Sequence, residues 1–241
     1  MENPISEVYN IDCLEYMKTI PDSYFDWALC DIEYGIGASK PSKKPNTVKQ
    51  ANGNILSVKT NNYKHSDWDF KKSGNEYFEE LFRASKKQII FGGNYYGLEG
   101  GYLVWDKLNG NTDQYDCELA WLSFTKRTDL VYYMWSGMIQ GEECGRDVRK
   151  SLRQIGNKSL NEKRIHETQK PVKLYDWLIR EYNIKGKVFD SHLGSGSNRI
   201  ANHLNGNDFY ACEIDKNKFN KQEERFKEYL SQPKLDFYVT L

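Results

Sequence analysis

Short apolar runs that read as strands alternate along this chain with longer segments whose apolar residues recur at helical spacing. The first run, Trp27 to Cys30, stops abruptly at Asp31, and α/β folds place ligand chemistry at such strand ends. From Gly35 to about Ser66 the chain is rich in Lys, Asn, Pro, Ser and Gly, the pattern of a long mobile loop. Tyr77, Phe78, Leu81 and Phe82 then share a helical face within residues 75–85, and QIIFGGNYY predicts a buried strand ending in a glycine turn. GYLVWDK, CELAWLSF and DLVYYMW add three strands, the last two predicted to pair across a turn near Thr125 to Arg127.

Between Ser136 and His166 the pattern turns polar and basic, interrupted by Gly137, Gly141, Gly145 and Gly156, so an inserted region is expected at 136–166. Regular structure then resumes. PVKLYDWLIREY, residues 171–182, predicts an amphipathic helix with Pro171 in its first turn, and KVFDSHLGSGSNRIANHL predicts strand, glycine turn and helix. DFYACEID is a further strand ending in acids, and Lys216 to Leu230 a closing helix. The alternation predicts an α/β fold, with residues 1–241 forming one domain that carries an insertion.

Composition narrows the class. Aliphatic and aromatic residues make up 39% of the 241 and charged residues 28%, the balance of a globular protein. No apolar run approaches the ~20 residues that span a bilayer, so no membrane partner and a cytoplasmic location are expected. The five cysteines, Cys13, Cys30, Cys117, Cys144 and Cys212, are scattered and suggest buried thiols rather than disulfides or a metal site. The net charge is zero, yet it is unevenly spread: residues 35–66 hold six lysines and no acid, and Arg146 to Arg164 hold seven basic residues against Asp147 and Glu162. Each cluster is either a solvated surface or a phosphate-binding face.

The densest chemistry lies in VFDSHLGSGSNRIA. An apolar strand ends at Asp190, and Gly194 and Gly196 precede a helix, which permits a tight turn and close approach of a ligand to backbone amides. A GxG turn alone is weak. Glu213 ends the next strand about twenty residues on, where an acid can accept hydrogen bonds from ribose hydroxyls. No GxxxxGK[ST] follows, so a nucleoside ligand without phosphates fits better, and Asp190 and Glu213 could sit beside a sulfonium and an ammonium.

Three segments together resemble the amino-methyltransferases of DNA in the permuted order called beta. DIEYGIG (31–37) is similar to their DPPYGIG, ETQKPVKLYDWLI (167–179) to PTQKPxxLxxxLI, and FDSHLGSGSNRIA (189–201) to LDPFxGSGTTxxA. YNIDCLEYMKTIPDSYFDWALCD also resembles the family's GDxxExLxxLPDxSVDLIxTD, so the likeness runs from about residue 8 to about 220. The resemblance implies a Rossmann-like, circularly permuted fold that binds S-adenosylmethionine and DNA, with 136–166 as target-recognition insertion. It implies that Asp190, the backbone of His192, Leu193, Gly194, Ser195 and Gly196, and Lys170 cradle the amino-acid end of the cofactor, that Glu213 holds its ribose, and that Asp12 with the Cys13 backbone lies at its adenine. The Asp31 carboxylate and the Ile32 carbonyl would each take an N–H of a flipped base, and Tyr34 would stack on it.

Departures from the family pattern fall in the catalytic turn. Ile32 keeps the carbonyl but loses proline's fixed φ, worth about 0.4–1 kcal/mol of preorganisation. Glu33 adds a second carboxylate beside Asp31, and Ser191 and His192 stand where Pro and Phe are usual. Adenine N6 is the expected acceptor. Cytosine N4 is the neighbouring alternative, disfavoured because those enzymes more often carry Ser at the place of Asp31, and a catalytically impaired binding protein is the third reading. Lys43, Lys44, Arg149, Lys150 and Arg153 are the expected phosphate contacts. Monomer and homodimer are both open, as is a cognate restriction nuclease.

Overall fold

Because both faces of an α/β sheet are covered, its central strands are continuous apolar runs, and the computed structural model forms such strands where those runs fall. It describes residues 3–35, 47–49, 55–57, 73–110, 115–136, 139–166 and 168–232. Two compact units result: Met1–Ile32 with Ser73–Leu241, and Glu33–Lys72. In the smaller, β3 (Thr47–Lys49) and β4 (Ile55–Ser57) pair antiparallel.

The larger unit is built on an eight-stranded sheet. Its strands are β1 (Ser6–Tyr9), β2 (Phe25–Asp31), β5 (Ser85–Phe91), β6 (Gly101–Asp106), β7 (Cys117–Leu122), β8 (Thr128–Tyr132), β11 (Lys187–Asp190) and β12 (Asp208–Cys212), in the order β1-β12-β11-β2-β5-β7-β6-β8. β1, β12, β11, β2 and β5 run parallel, whereas β7 is antiparallel to both β5 and β6. In β2 the two-residue period sends Trp27 and Leu29 into one core and Ala28 and Cys30 into the other. The first core packs under α4 (Val172–Glu181) through Leu174, Trp177 and Leu178. The second packs under α1 (Cys13–Lys18) and α2 (Asn75–Ala84) through Met17, Tyr77 and Leu81. α5 (Ser197–Leu204) follows β11, and α6 (Lys216–Ser231) starts at Asp215, whose carboxylate caps the Asn217 and Lys218 amides.

The predicted hairpin of CELAWLSF with DLVYYMW does not form. β6 lies between β7 and β8 and pairs with both, parallel to β8. The turn crosses the start of β6, where Thr125 and Arg127 carbonyls accept from the Gly101 and Tyr102 amides at 2.8 and 3.0 Å. A Cβ at Gly101 would come within 2.6 Å of the Arg127 carbonyl oxygen, so only glycine admits this crossing. The 136–166 region is short elements: β9 (Trp135–Ser136) against β10 (Ile139–Gln140), and the single turn α3 (Val148–Ser151). Among the described residues no helix is long and apolar enough to cross a membrane. Cys30 and Cys212 are buried as expected, whereas Cys117 is exposed because it opens β7.

The chain leaves β2 toward β5 and returns to place β11 on its other side, so strand order reverses between β2 and β11. Asn198, on the first turn of α5 and buried, joins the two strands: its amide donates to the Leu29 carbonyl at 2.7 Å and to Asp190 Oδ2 at 2.9 Å. Asn198→Ala leaves both acceptors buried without that donor, and we expect a loss of about 2–3 kcal/mol in urea unfolding. A loss below about 0.5 kcal/mol, the scale of a surface substitution, would contradict this role.

Candidate active site

Carboxyl ends of parallel strands present turns toward one edge, and α/β folds place ligands there, where strand order reverses, as it does between β2 and β11. Asp31 ends β2 and Asp190 ends β11 at this edge. Ile32 continues from Asp31 with its side chain buried in the second core. Glu33 and Tyr34 belong to the smaller unit, where Gly35 turns the chain with φ +65°.

Asp31 meets a partner the motifs alone did not assign to it. Lys170 Nζ bonds Asp31 Oδ1, also lies 3.1 Å from Glu118 Oε2, and sits 4.7 Å from the centroid of the Phe91 ring. Glu118 Oε1 in turn takes Lys107 Nζ at 2.6 Å. Burial pushes the Asp31 carboxyl above its ordinary value; Lys170 pulls it back and Glu118 pushes it up again. Burial works to discharge Lys170, but the two carboxylates outweigh it and hold the ammonium above its ordinary value. Lys170 is therefore the countercharge of Asp31.

The glycine turn assembles as its residue types dictate. Gly194 and Gly196 adopt φ +51° and +74°, and the Gly196 amide closes on the Leu193 carbonyl at 2.9 Å. Glu213, beyond the end of β12, accepts from the Gly194 amide through Oε2 and from the Asp215 amide through Oε1, each at 2.9 Å. Arg225 of α6 donates to the Ser195 carbonyl at 2.7 Å and holds the loop from behind. Asp190 accepts from the His192 amide at 3.1 Å, and Ser191 Oγ links His192 Nδ1 at 2.8 Å to the Tyr77 hydroxyl at 2.6 Å. Asp12 caps α1 through the Leu14 and Glu15 amides at 2.8 and 3.3 Å, and Cys13 opens that helix. Asn10 ties this end to the Glu213 carbonyl at 2.7 Å. Asp12, Asp190, His192, Gly194 and Glu213 are thus gathered by three adjacent strands, β1, β12 and β11.

The basic residues divide. Arg149, Lys150 and Arg153 are exposed on and beside α3. Arg146 is bound to Glu181 at 2.7 Å, and Arg164 stacks on Trp135 at 4.6 Å, so these two hold the insertion in place. Lys43 and Lys44 lie outside the described residues, as does most of the 35–66 loop. Glu162, one of the two acids within the basic 146–164 run, is a hub: it accepts from Arg225 at 2.6 Å, Gln169 at 2.8 Å and the Val172 amide at 2.9 Å. Glu118, Lys107, Glu162 and Arg225 carry no motif, and only their partners in space reveal them; Asn198 lies within the glycine-turn motif, but its role comes from its partners.

Burial raises Asp190 to about 6. A carboxyl with a raised folded value binds more protons folded than unfolded between about pH 4 and 6, so its contribution to stability falls as pH rises through that window. Relative to Asp190→Asn, the native protein without ligand should lose about 2 kcal/mol of stability between pH 4 and 7, measured by urea unfolding. Parallel pH profiles for the two proteins would contradict it.

A family model described as DNA methylase, of N6 and N4 type, matches residues 31–224. Among curated protein sequences none matches the chain. Solved structures similar to it include the PvuII DNA methyltransferase, cytosine-N4-specific, at 14% identity and a TM-score of 0.54, covering 98% of this chain and 89% of that one. TTHA0409 from Thermus thermophilus, as its selenomethionine derivative, is similar at 13% identity and a TM-score of 0.52, with 93% and 95% covered. M1.HpyAVI in complex with SAM gives 16% identity and a TM-score of 0.49, with 91% and 98% covered. At these identities the likeness concerns the fold, an α/β methyltransferase fold built on a mostly parallel sheet. The family match covers most of the chain, from Asp31 through the Lys170 segment and the glycine turn, and the chain belongs to the N6/N4 DNA methylase family.

Proposed function

We propose that this DNA methyltransferase modifies the exocyclic N6 amine of adenine, with Asp31 accepting an amine proton. The observation that carries the reading is the Asp31 carboxyl at the end of β2, beside the strand-order reversal and held by Lys170. When bound, S-adenosylmethionine supplies a methyl group made electrophilic by its sulfonium. The residues present fit it. Asp190 is a buried carboxyl that a neighbouring cation would favour in its charged form, the Gly194 and Gly196 turn keeps bulk away, and Glu213 presents a carboxylate one strand over. Asp190 and the backbone from His192 through Ser195 to Gly196 hold the amino-acid end, with Lys170 beside them. Glu213 holds the ribose, and Asp12 with the Cys13 backbone the adenine ring.

An adenine amine is a weak nucleophile because its lone pair is delocalised into the ring. Acceptors at its protons draw the nitrogen toward tetrahedral geometry. The Asp31 carboxylate takes one N–H and the Ile32 carbonyl the other. Once the nitrogen has taken the methyl group that the cofactor would supply, the displaced amine proton would pass to the Asp31 carboxylate. Tyr34 stacks on the base, which must leave the duplex because the amine is paired there. The exposed Arg149, Lys150 and Arg153, with Lys43 and Lys44, contact phosphates, and 136–166 reads the target sequence.

Nucleoside mass spectrometry of DNA treated with the protein and S-adenosylmethionine tests the reading. N6-methyladenine is expected; N4-methylcytosine would overturn the base assignment, and neither product with cofactor bound would favour a chain impaired by Ile32 and Glu33. Changing Arg149, Lys150 and Arg153 to Ala together should weaken DNA binding at low salt and flatten its log–log salt dependence by about two to three. An unchanged slope would remove these residues from the interface.

A further inference from the structure

Four charges of alternating sign, Asp31, Lys170, Glu118 and Lys107, run in contact from the end of β2 to the end of β6. The row crosses the sheet over β5: Phe91 is in register with Asp31 on one side and with Ala120 of β7 on the other, and the Lys170 ammonium lies over its ring. Glu118, two residues from Ala120 along β7, spends one carboxylate oxygen on Lys170 and the other on Lys107. Lys170 keeps only 4% of its side-chain surface exposed, Lys107 11% and Glu118 18%, so solvent screens these contacts weakly.

In such a row the partners compete. A lysine held by one carboxylate alone gives it full countercharge and makes it a poor proton acceptor; a lysine shared with a second carboxylate grips the first less. We propose that Glu118 and Lys107 are positioning residues for methyl transfer, setting how tightly Lys170 holds Asp31 and hence how readily Asp31 takes the amine proton. The inference rests on the reading of Asp31 as proton acceptor and extends it to two residues that lie outside the catalytic turn. Among the described residues the other groups facing Asp31 are His192 from the loop after β11, Asp190 at the end of β11 and Tyr175 from α4, and they stay in place in the variants below.

The two residues predict shifts of opposite sign. Glu118→Gln removes the competing anion, so Lys170 grips Asp31 harder, and the Asp31 titration midpoint moves down by about one pH unit. Lys107→Met frees Glu118 to draw Lys170 away, and the midpoint moves up by a smaller amount. The midpoint is read directly by carboxyl carbon NMR of the full chain, assigned with Asp31→Asn, and again from the acid limb of kcat for methyl transfer to DNA. Both limbs should follow the NMR midpoints, with plateau kcat several-fold lower in Glu118→Gln and S-adenosylmethionine affinity within about threefold of native by calorimetry. A midpoint that stays in place or moves against its stated sign, or one that moves as stated while plateau kcat for methyl transfer stays native, overturns the proposal. Each variant carries its own sign, so one folded variant suffices. Native protein that binds cofactor and transfers no methyl group to DNA overturns the underlying reading instead; native transfer with unmoved midpoints overturns the role of Glu118 and Lys107 alone.

Discussion

A carboxylate at the edge of an apolar core must be paired or neutralised, because the charged form loses hydration that nothing apolar replaces. Asp31 and Asp190 face this constraint together, at the ends of adjacent strands β2 and β11. The two solutions differ. Asp31 receives a full ammonium from Lys170, whereas Asp190 receives only neutral donors, the Asn198 amide and the His192 backbone. Both carboxyls stay above their ordinary value, Asp31 against the pull of an ion pair and Asp190, to about 6, without one. An ion-paired carboxyl on one strand and a carboxyl responsive to a neighbouring cation on the next follow from that difference.

The rest of the larger unit serves the same edge. Glu162 ties the insertion to the segment that carries Lys170, through Gln169 and the Val172 amide, and to α6 through Arg225. Arg225 also reaches the Ser195 carbonyl, so one arginine spans from the insertion to the glycine turn. Removing either partner would leave the other charge partly buried, so the pair couples the 136–166 region to the nucleoside edge.

Much of the fold was legible because strand ends and glycine turns are local. Asp31, Asp190 and Glu213 fall where apolar runs stop, and Gly194 and Gly196 where φ must be positive. The helices at 75–84 and 172–181 followed from spacing. The order of β7, β6 and β8 was not legible, because the steric reason for the crossing, the Arg127 carbonyl against Gly101, exists only once the strands are assembled. Glu118 and Lys107 were missed for a related reason. Each is a lone charge in or beside a strand, and their meaning comes from a lysine more than fifty residues away in sequence. The partly buried hub at Glu162 shows the same limit: charge clustering in sequence does not say which charges turn inward.

The most direct test of the central claim is transfer of radiolabelled methyl from S-adenosylmethionine to mixed-sequence duplex DNA, by the native chain and by Asp31→Ala, with calorimetry of cofactor binding in both. The account predicts label on adenine with the native protein and its loss by at least about a hundredfold in the variant, while both bind the cofactor. Label that persists in Asp31→Ala, or cofactor binding by the native chain with no transfer to DNA, would contradict it.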